Sequence, residues 1–81
     1  MIRVWIERND GLTFCGVVRL ADGSILLWSV VVAPGARTIS YAAGSRLPFA
    51  GAWVRPTTDA ICLAIDKVLA GCQRRQFTLL V

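Results

Sequence analysis

The start of the chain alternates, with apolar residues on the even positions. Ile2, Val4 and Ile6 take one parity; Arg3, Trp5 and Glu7 take the other. A period of two predicts a β-strand. Asn9-Asp10-Gly11 then forms a turn cluster, in which Gly11 can adopt positive φ. A second β-rich run spans Leu12 to Leu20. Asp22-Gly23 predicts a two-residue hairpin turn. Ser24 to Ala33 reads as a third strand, ended by Pro34-Gly35.

The hairpins predict registers. With Asp22-Gly23 at the tip, Leu20 faces Ile25, Val18 faces Leu27, Gly16 faces Ser29 and Phe14 faces Val31. The opposite face then pairs Arg19 with Leu26, Val17 with Trp28 and Cys15 with Val30. For the first hairpin, a three-residue loop at 9–11 with a bulge at Gly11 pairs Ile6 with Phe14, Val4 with Gly16 and Ile2 with Val18. That choice gathers Ile2, Val4 and Ile6 on the Phe14/Val18/Leu20 face, whereas a two-residue loop buries Glu7.

Residues 34–56 are punctuated by proline and glycine. Arg37 to Ala42 fits a short fourth strand. Gly44 to Arg55 reads as a long loop carrying Phe49 and Trp53, and long loops in compact domains are often functional. A helix is expected to begin at Thr57-Thr58-Asp59, just after Pro56, with a threonine as N-cap. Ile61, Ala64, Ile65, Val68, Leu69 and Cys72 form one apolar stripe at helical spacing. Gly71 is placed to end the helix. Gln76 to Val81 reads as a last strand. The expected fold is α+β over a single domain, residues 1–81. A mainly antiparallel sheet of four to five strands carries one helix on one face, in the order β-β-β-(β)-α-β.

One helix covers only one side of the sheet. The predicted registers leave a second face bearing Arg3, Trp5, Glu7, Thr13, Cys15, Val17, Arg19, Leu26, Trp28, Val30 and Val32. A solvated sheet face is normally polar. Here an apolar centre of Trp5, Trp28, Val17 and Cys15 is rimmed by Arg3 and Arg19, the composition of a protein interface. Three outcomes are open: the 34–56 loop folds back over this face, the chain forms a homodimer through it, or a foreign protein target docks there. If the face is an interface, Trp28→Arg lowers oligomer mass or partner affinity while the domain stays folded.

Composition sharpens this picture. The chain has 81 residues, 56% of them apolar and 17% charged, against roughly 45–50% and about 25% in an average soluble domain. That rules out intrinsic disorder and leaves more apolar surface than one small core can hide. Nine basic residues face five acidic ones, for a net charge of +4, and Lys67 is the only lysine. Basic charge raises the alternative of a small nucleic-acid-binding protein acting through Arg37, Arg46, Arg55, Arg74 and Arg75, with affinity that falls steeply with salt. The cations are scattered, however, and no tail of them forms. Cys15, Cys62 and Cys72 are odd in number and lack metal-ligand spacing, which points to reduced thiols in a cytoplasmic protein. The longest apolar stretch, Ile25 to Ala33, is too short for a membrane helix, and no signal peptide opens the chain.

Catalytic chemistry is poorly provided for. The chain has no histidine, which removes imidazole acid–base work and histidine metal ligands. No P-loop, dinucleotide or nucleophile-elbow motif occurs. No enzyme activity, metal or cofactor is expected. The strand order is similar to the truncated ribonuclease-H-like antitoxin fold. In its short length and its lack of catalytic motifs, the chain resembles small inhibitors carried by phages and mobile elements, the anti-CRISPR proteins among them. That resemblance implies a non-enzymatic inhibitor that sterically blocks the surface of a Cas protein or complex, without mimicry of DNA, since the net charge is positive.

Overall fold

The alternation at the N-terminus is realised as strand β1 (Ile2–Asn9), which buries Ile2, Val4 and Ile6 and exposes Arg3 and Glu7. The structure, a computed structural model, describes residues 1–33, 35–43 and 51–79. The other elements are β2 (Thr13–Arg19), β3 (Ile25–Ala33), β4 (Ala36–Ala43), a 3₁₀ turn (Gly51–Trp53), helix α1 (Val54–Leu69) and β5 (Gln76–Leu79). The five strands form one antiparallel sheet in the order β4-β3-β2-β1-β5, with α1 packed on one side. The α+β architecture and the fourth strand agree with the expectation from sequence. Among the described residues no helix is long and apolar enough to cross a membrane.

The first hairpin keeps the expected faces but not the expected register. Val4 pairs with Val18 and Ile6 with Gly16, a shift of two residues, which preserves the side each residue faces. The irregularity lies between Ile6 and Arg8, so the extra residue is Glu7 and not Gly11. Asp10 shapes the turn instead. Its carboxylate accepts the backbone N–H of Leu12 at 3.1 Å and of Thr13 at 2.6 Å, and these bonds hold its pKa below the usual carboxylate value.

The second hairpin departs from expectation by one residue, and that reverses a strand. Leu20 N–H donates to Ser24 O and Gly23 N–H donates to Leu20 O. The loop is therefore Ala21-Asp22-Gly23, three residues long, with Gly23 at φ 87° and the Asp22 carboxylate accepting Ser24 N–H at 2.8 Å. Three-residue hairpins end in a left-handed residue of this kind. Val18 consequently pairs with Leu26, Val17 with Leu27 and Gly16 with Trp28. A slip of one residue turns every side chain of β3 over. Leu26, Trp28 and Val30 point at the helix and are buried, Trp28 at 2% exposure. Val32 packs partly buried against the same core.

Helix α1 begins three residues earlier than expected, at Val54, with Trp53 as N-cap and no side-chain cap. Pro56 is its third residue. Proline is tolerated there because a first-turn N–H has no intrahelical partner to lose. Thr57, Ala60, Ile61, Ala64 and Ile65 face the sheet. Val68 and Cys72 are partly buried, and Leu69 is exposed. The helix stops as expected at Gly71, φ 106°. Cys72 N–H donates to Lys67 O and Gly71 N–H to Val68 O, the paired bonds of a Schellman cap.

Two polar clasps tie the edge strand β4 to α1. The Arg37 guanidinium forms an ion pair with Asp66 and reaches the Cys62 carbonyl at 3.4 Å. The hydrogen bond to Asp66 holds the Arg37 pKa above its usual value. Further along β4, the hydroxyls of Tyr41 and Thr58 share a 2.7 Å hydrogen bond. Tyr41 also meets Trp53 edge-to-face, ring centres 5.1 Å apart. Trp53 thus closes the helix side of the sheet and does not fold back over the other side. Phe49 lies outside the described residues.

Candidate protein-docking face

The sheet side opposite α1 is ordered in cross-strand rows. The registers place Arg3 beside Arg19 and Ile25 in one row, with Thr78 of β5 at its end. The next row runs Gln76, Trp5, Val17, Leu27, Ala42. The row beyond holds Arg8, Cys15, Ser29 and Ser40. Glu7, the extra residue of β1, lies on that side of Trp5. An apolar central row is therefore bounded by two arginines on one side and by Glu7 and Arg8 on the other.

Among the described residues, none packs over this face. Leu27 is 48% exposed and Val31, further along β3, is 50% exposed. Trp5, Cys15, Val17 and Ile25 are half-buried by their neighbours alone. Trp5, Glu7, Val17, Arg19 and Ile25 together line a shallow depression of about 340 Å³. Arg3, Arg19 and Glu7 form no ion pair among the described residues. Arg3 and Arg19 are direct cross-strand partners, an arrangement in which like charges repel.

Of the residues expected on this face, Trp5, Cys15, Val17, Arg3 and Arg19 stand together on it. Trp28, Leu26, Val30 and Val32 do not, because the three-residue loop rotates β3. Ile25, Leu27 and Val31 take their places, and none of the three was expected there from sequence. The signal that distinguishes the two sets is the length of the Asp22-Gly23 loop, since either parity of β3 is apolar.

One glycine beside the central row marks a close approach of the β1 backbone to β2. Gly16 pairs with Ile6 at the irregularity in β1 and is buried. There the backbone of β1 comes so close that a Cβ on residue 16 would lie 1.8 Å from the Trp5 carbonyl oxygen. Glycine in a strand often marks such a close approach.

Among the described residues, the arginines of the nucleic-acid alternative are not gathered into one surface. Arg37 is engaged by Asp66. Arg55 is exposed in the first turn of α1. Arg46 lies outside the described residues. Arg74 and Arg75, on the connection between α1 and β5, do meet Arg8 in a groove of about 450 Å³, which Glu7 also lines. An adjoining groove adds Lys67, whose ammonium lies 5.8 Å from the centre of the Phe77 ring. Cys15, Cys62 and Cys72 are all free thiols.

Comparison of the chain with protein-family models, with curated proteins and with solved structures found no match.

Proposed function

We propose that the protein is a non-enzymatic interaction module that docks against another protein through its outer sheet face. The observation that carries this reading is the Trp5–Val17–Leu27 row, which the fold aligns on the side away from α1 and rims with charge. Exposing such a row to water is unfavourable by about 25 cal/mol for each Å² of apolar surface. Trp and Arg are also the side chains that most often dominate binding energy at interfaces. The finer form of the reading is a cytoplasmic inhibitor of the anti-CRISPR kind, which blocks a Cas protein or complex by occupying its surface. Chain length and the absence of catalytic motifs support that form, and a target-cleavage assay with added protein tests it.

The face itself is tested by affinity capture with three baits: the wild-type chain, Trp5→Arg and the double variant Arg74→Glu/Arg75→Glu. Protein capture is expected with the first and third baits and is lost with the second, while circular dichroism shows all three folded. Capture that is indifferent to Trp5→Arg overturns the reading.

A nucleic-acid reading draws on the meeting of Arg8, Lys67, Arg74 and Arg75 in two adjoining grooves. It requires binding that weakens steeply with salt and that Arg74→Glu/Arg75→Glu removes. Absence of a gel shift at low salt eliminates it.

A further inference from the structure

Each end strand of the sheet turns a row of backbone groups away from it, and the row on β4 is the longer and the less guarded. On β3, Val32 N–H donates to Leu12 O, on the β2 side. Backbone groups alternate in direction along a strand, so Leu27, Ser29 and Val31 bond to β4. Their partners there are Ala42, Ser40 and Thr38. The N–H and C=O groups of Arg37, Ile39 and Tyr41 therefore point outward from the sheet. Among the described residues, nothing pairs with them.

Natural sheet edges are blunted by shortness, proline, bulges or inward-pointing charge. β4 is eight residues long, and its register against β3 is continuous. It contains no proline. Its one charge, Arg37, is folded onto α1 and neutralised by Asp66. Helix α1 lies chiefly over β1 and β2, away from this edge. The opposite edge differs. β5 is four residues long. Ile6 N–H donates to Arg75 O, so within β5 only Gln76 and Thr78 turn their backbone groups outward. Lys67, Arg74 and Arg75 lie beside them.

We propose that a second copy of this chain pairs with the β4 edge, antiparallel, about a two-fold axis through Ile39. The strand is its own complement in this register. Ile39 exchanges both backbone hydrogen bonds with Ile39 of the other copy, and Arg37 does the same with Tyr41 at each end. On the helix side, the Arg37 side chain stands beside a tyrosine ring, a favourable neighbour for a cation. On the outer side, Thr38 stands opposite Ser40, hydroxyl beside hydroxyl. The two Arg37 residues lie four positions apart, about 13 Å, so no like charges meet. A head-to-tail contact of β4 on β5 would match fewer outward groups, would bring a cluster of cations, and would propagate. The two-fold contact consumes both β4 edges and stops at two copies. The pairing does not rest on the docking reading. It joins two five-stranded sheets into one and leaves both outer faces open on the same side.

The test is sedimentation equilibrium on the full chain at about 100 μM, a concentration that reveals micromolar association. Wild type is expected at twice the chain mass. Thr38 and Ser40 are exposed and lie on the side away from the core, so both can carry charge without disturbing it. Thr38→Lys/Ser40→Lys and Thr38→Glu/Ser40→Glu each set like charges directly opposite one another. Each alone is expected to associate at least tenfold more weakly, and an equal mixture is expected to regain a dimer with one copy of each. Thr38→Lys/Ser40→Glu sets lysine opposite glutamate and is expected to stay dimeric, whereas a register centred on Ser40 would set glutamate against glutamate. Trp5→Arg is expected to stay dimeric as well, and circular dichroism to show every variant folded. Wild type that is monomeric overturns the second copy and leaves the edge to a foreign strand. A dimer indifferent to both like-charge variants, or one lost in Trp5→Arg, uses another surface and overturns the inference. Loss of the dimer in Thr38→Lys/Ser40→Glu overturns the register centred on Ile39. Species heavier than a dimer overturn the closed two-fold contact. The docking reading stands or falls separately, on the capture experiment above.

Discussion

The carbonyl oxygen of Trp5 fills the space in which a side chain on Gly16 would begin, 1.8 Å from where its Cβ would stand. The contact is between backbone atoms, so no rotamer change relieves it. It sits at the point where β1 carries one residue more than β2.

Gly16→Ala is therefore expected to force β1 and β2 apart. The cost should be about 3 kcal/mol, at the upper end of overpacking effects. In a domain of this size each kcal/mol lowers Tm by roughly 4–8 °C. Thermal denaturation followed by circular dichroism measures it. A shift of less than a few degrees would show that the strands separate freely at this point.

Trp28 and Trp5 are expected to respond oppositely to the same substitution. Trp28→Arg places an unpaired charge in the core and should unfold the domain, a loss above about 4 kcal/mol. This reverses the expectation from sequence that the variant stays folded. Trp5→Arg should leave the fold intact and alter association only. Far-ultraviolet circular dichroism of both variants decides the matter, and a folded Trp28→Arg chain would mean that β3 faces the other way.

Tyr41 is the only tyrosine, so ultraviolet absorbance reads its ionisation directly. Burial raises its pKa, and the Thr58 hydrogen bond opposes that rise. A group raised on folding stabilises the fold fully below its unfolded pKa, near 10 for tyrosine. That contribution fades as pH climbs through the folded value. The absorbance midpoint is expected above 10 in the native chain and near 10 in denaturant. Tyr41→Phe should remove this component of alkaline destabilisation. A native midpoint at or below 10 would contradict the burial of the phenol.

Thr57 is fully buried on α1, and its hydroxyl finds no hydrogen-bond partner. Thr57→Val replaces that hydroxyl with a methyl group of similar size. The expected outcome is a gain of about 1 kcal/mol, since an unsatisfied buried polar group carries a penalty of that order. Urea denaturation at constant m-value checks it, and a loss of similar size would reveal a partner for the hydroxyl.

The sheet faces of β1 and β2 were legible because only one parity of each strand is consistently apolar. Ile2, Val4 and Ile6 alternate with Arg3 and Glu7, and Phe14 and Val18 follow the same phase. β3 carried no such information. Leu26, Trp28 and Val30 on one parity are matched by Ile25, Leu27 and Val31 on the other, so hydrophobicity alone leaves its phase undetermined. The phase came from a turn, and Asp22-Gly23 suits both a two-residue and a three-residue loop. The helix stripe around Ile61, Ala64 and Ile65 was readable from its spacing. The helix start was not, because Pro56 marks a boundary in either position, before the helix or within its first turn. Trp5, Cys15, Val17, Arg3 and Arg19 were correctly grouped because all five lie on β1 and β2.

The Ala21-Asp22-Gly23 turn gives chain length there more leverage than chain chemistry. Removing or adding one codon at that point would exchange the interior and exterior halves of a nine-residue strand without altering a single letter of it. Both halves are greasy enough to be accepted inside, so the altered protein could fold while presenting a different surface to its surroundings. A count of three residues, and not the identity of any large side chain, keeps the indole of Trp28 in and the isobutyl group of Leu27 out.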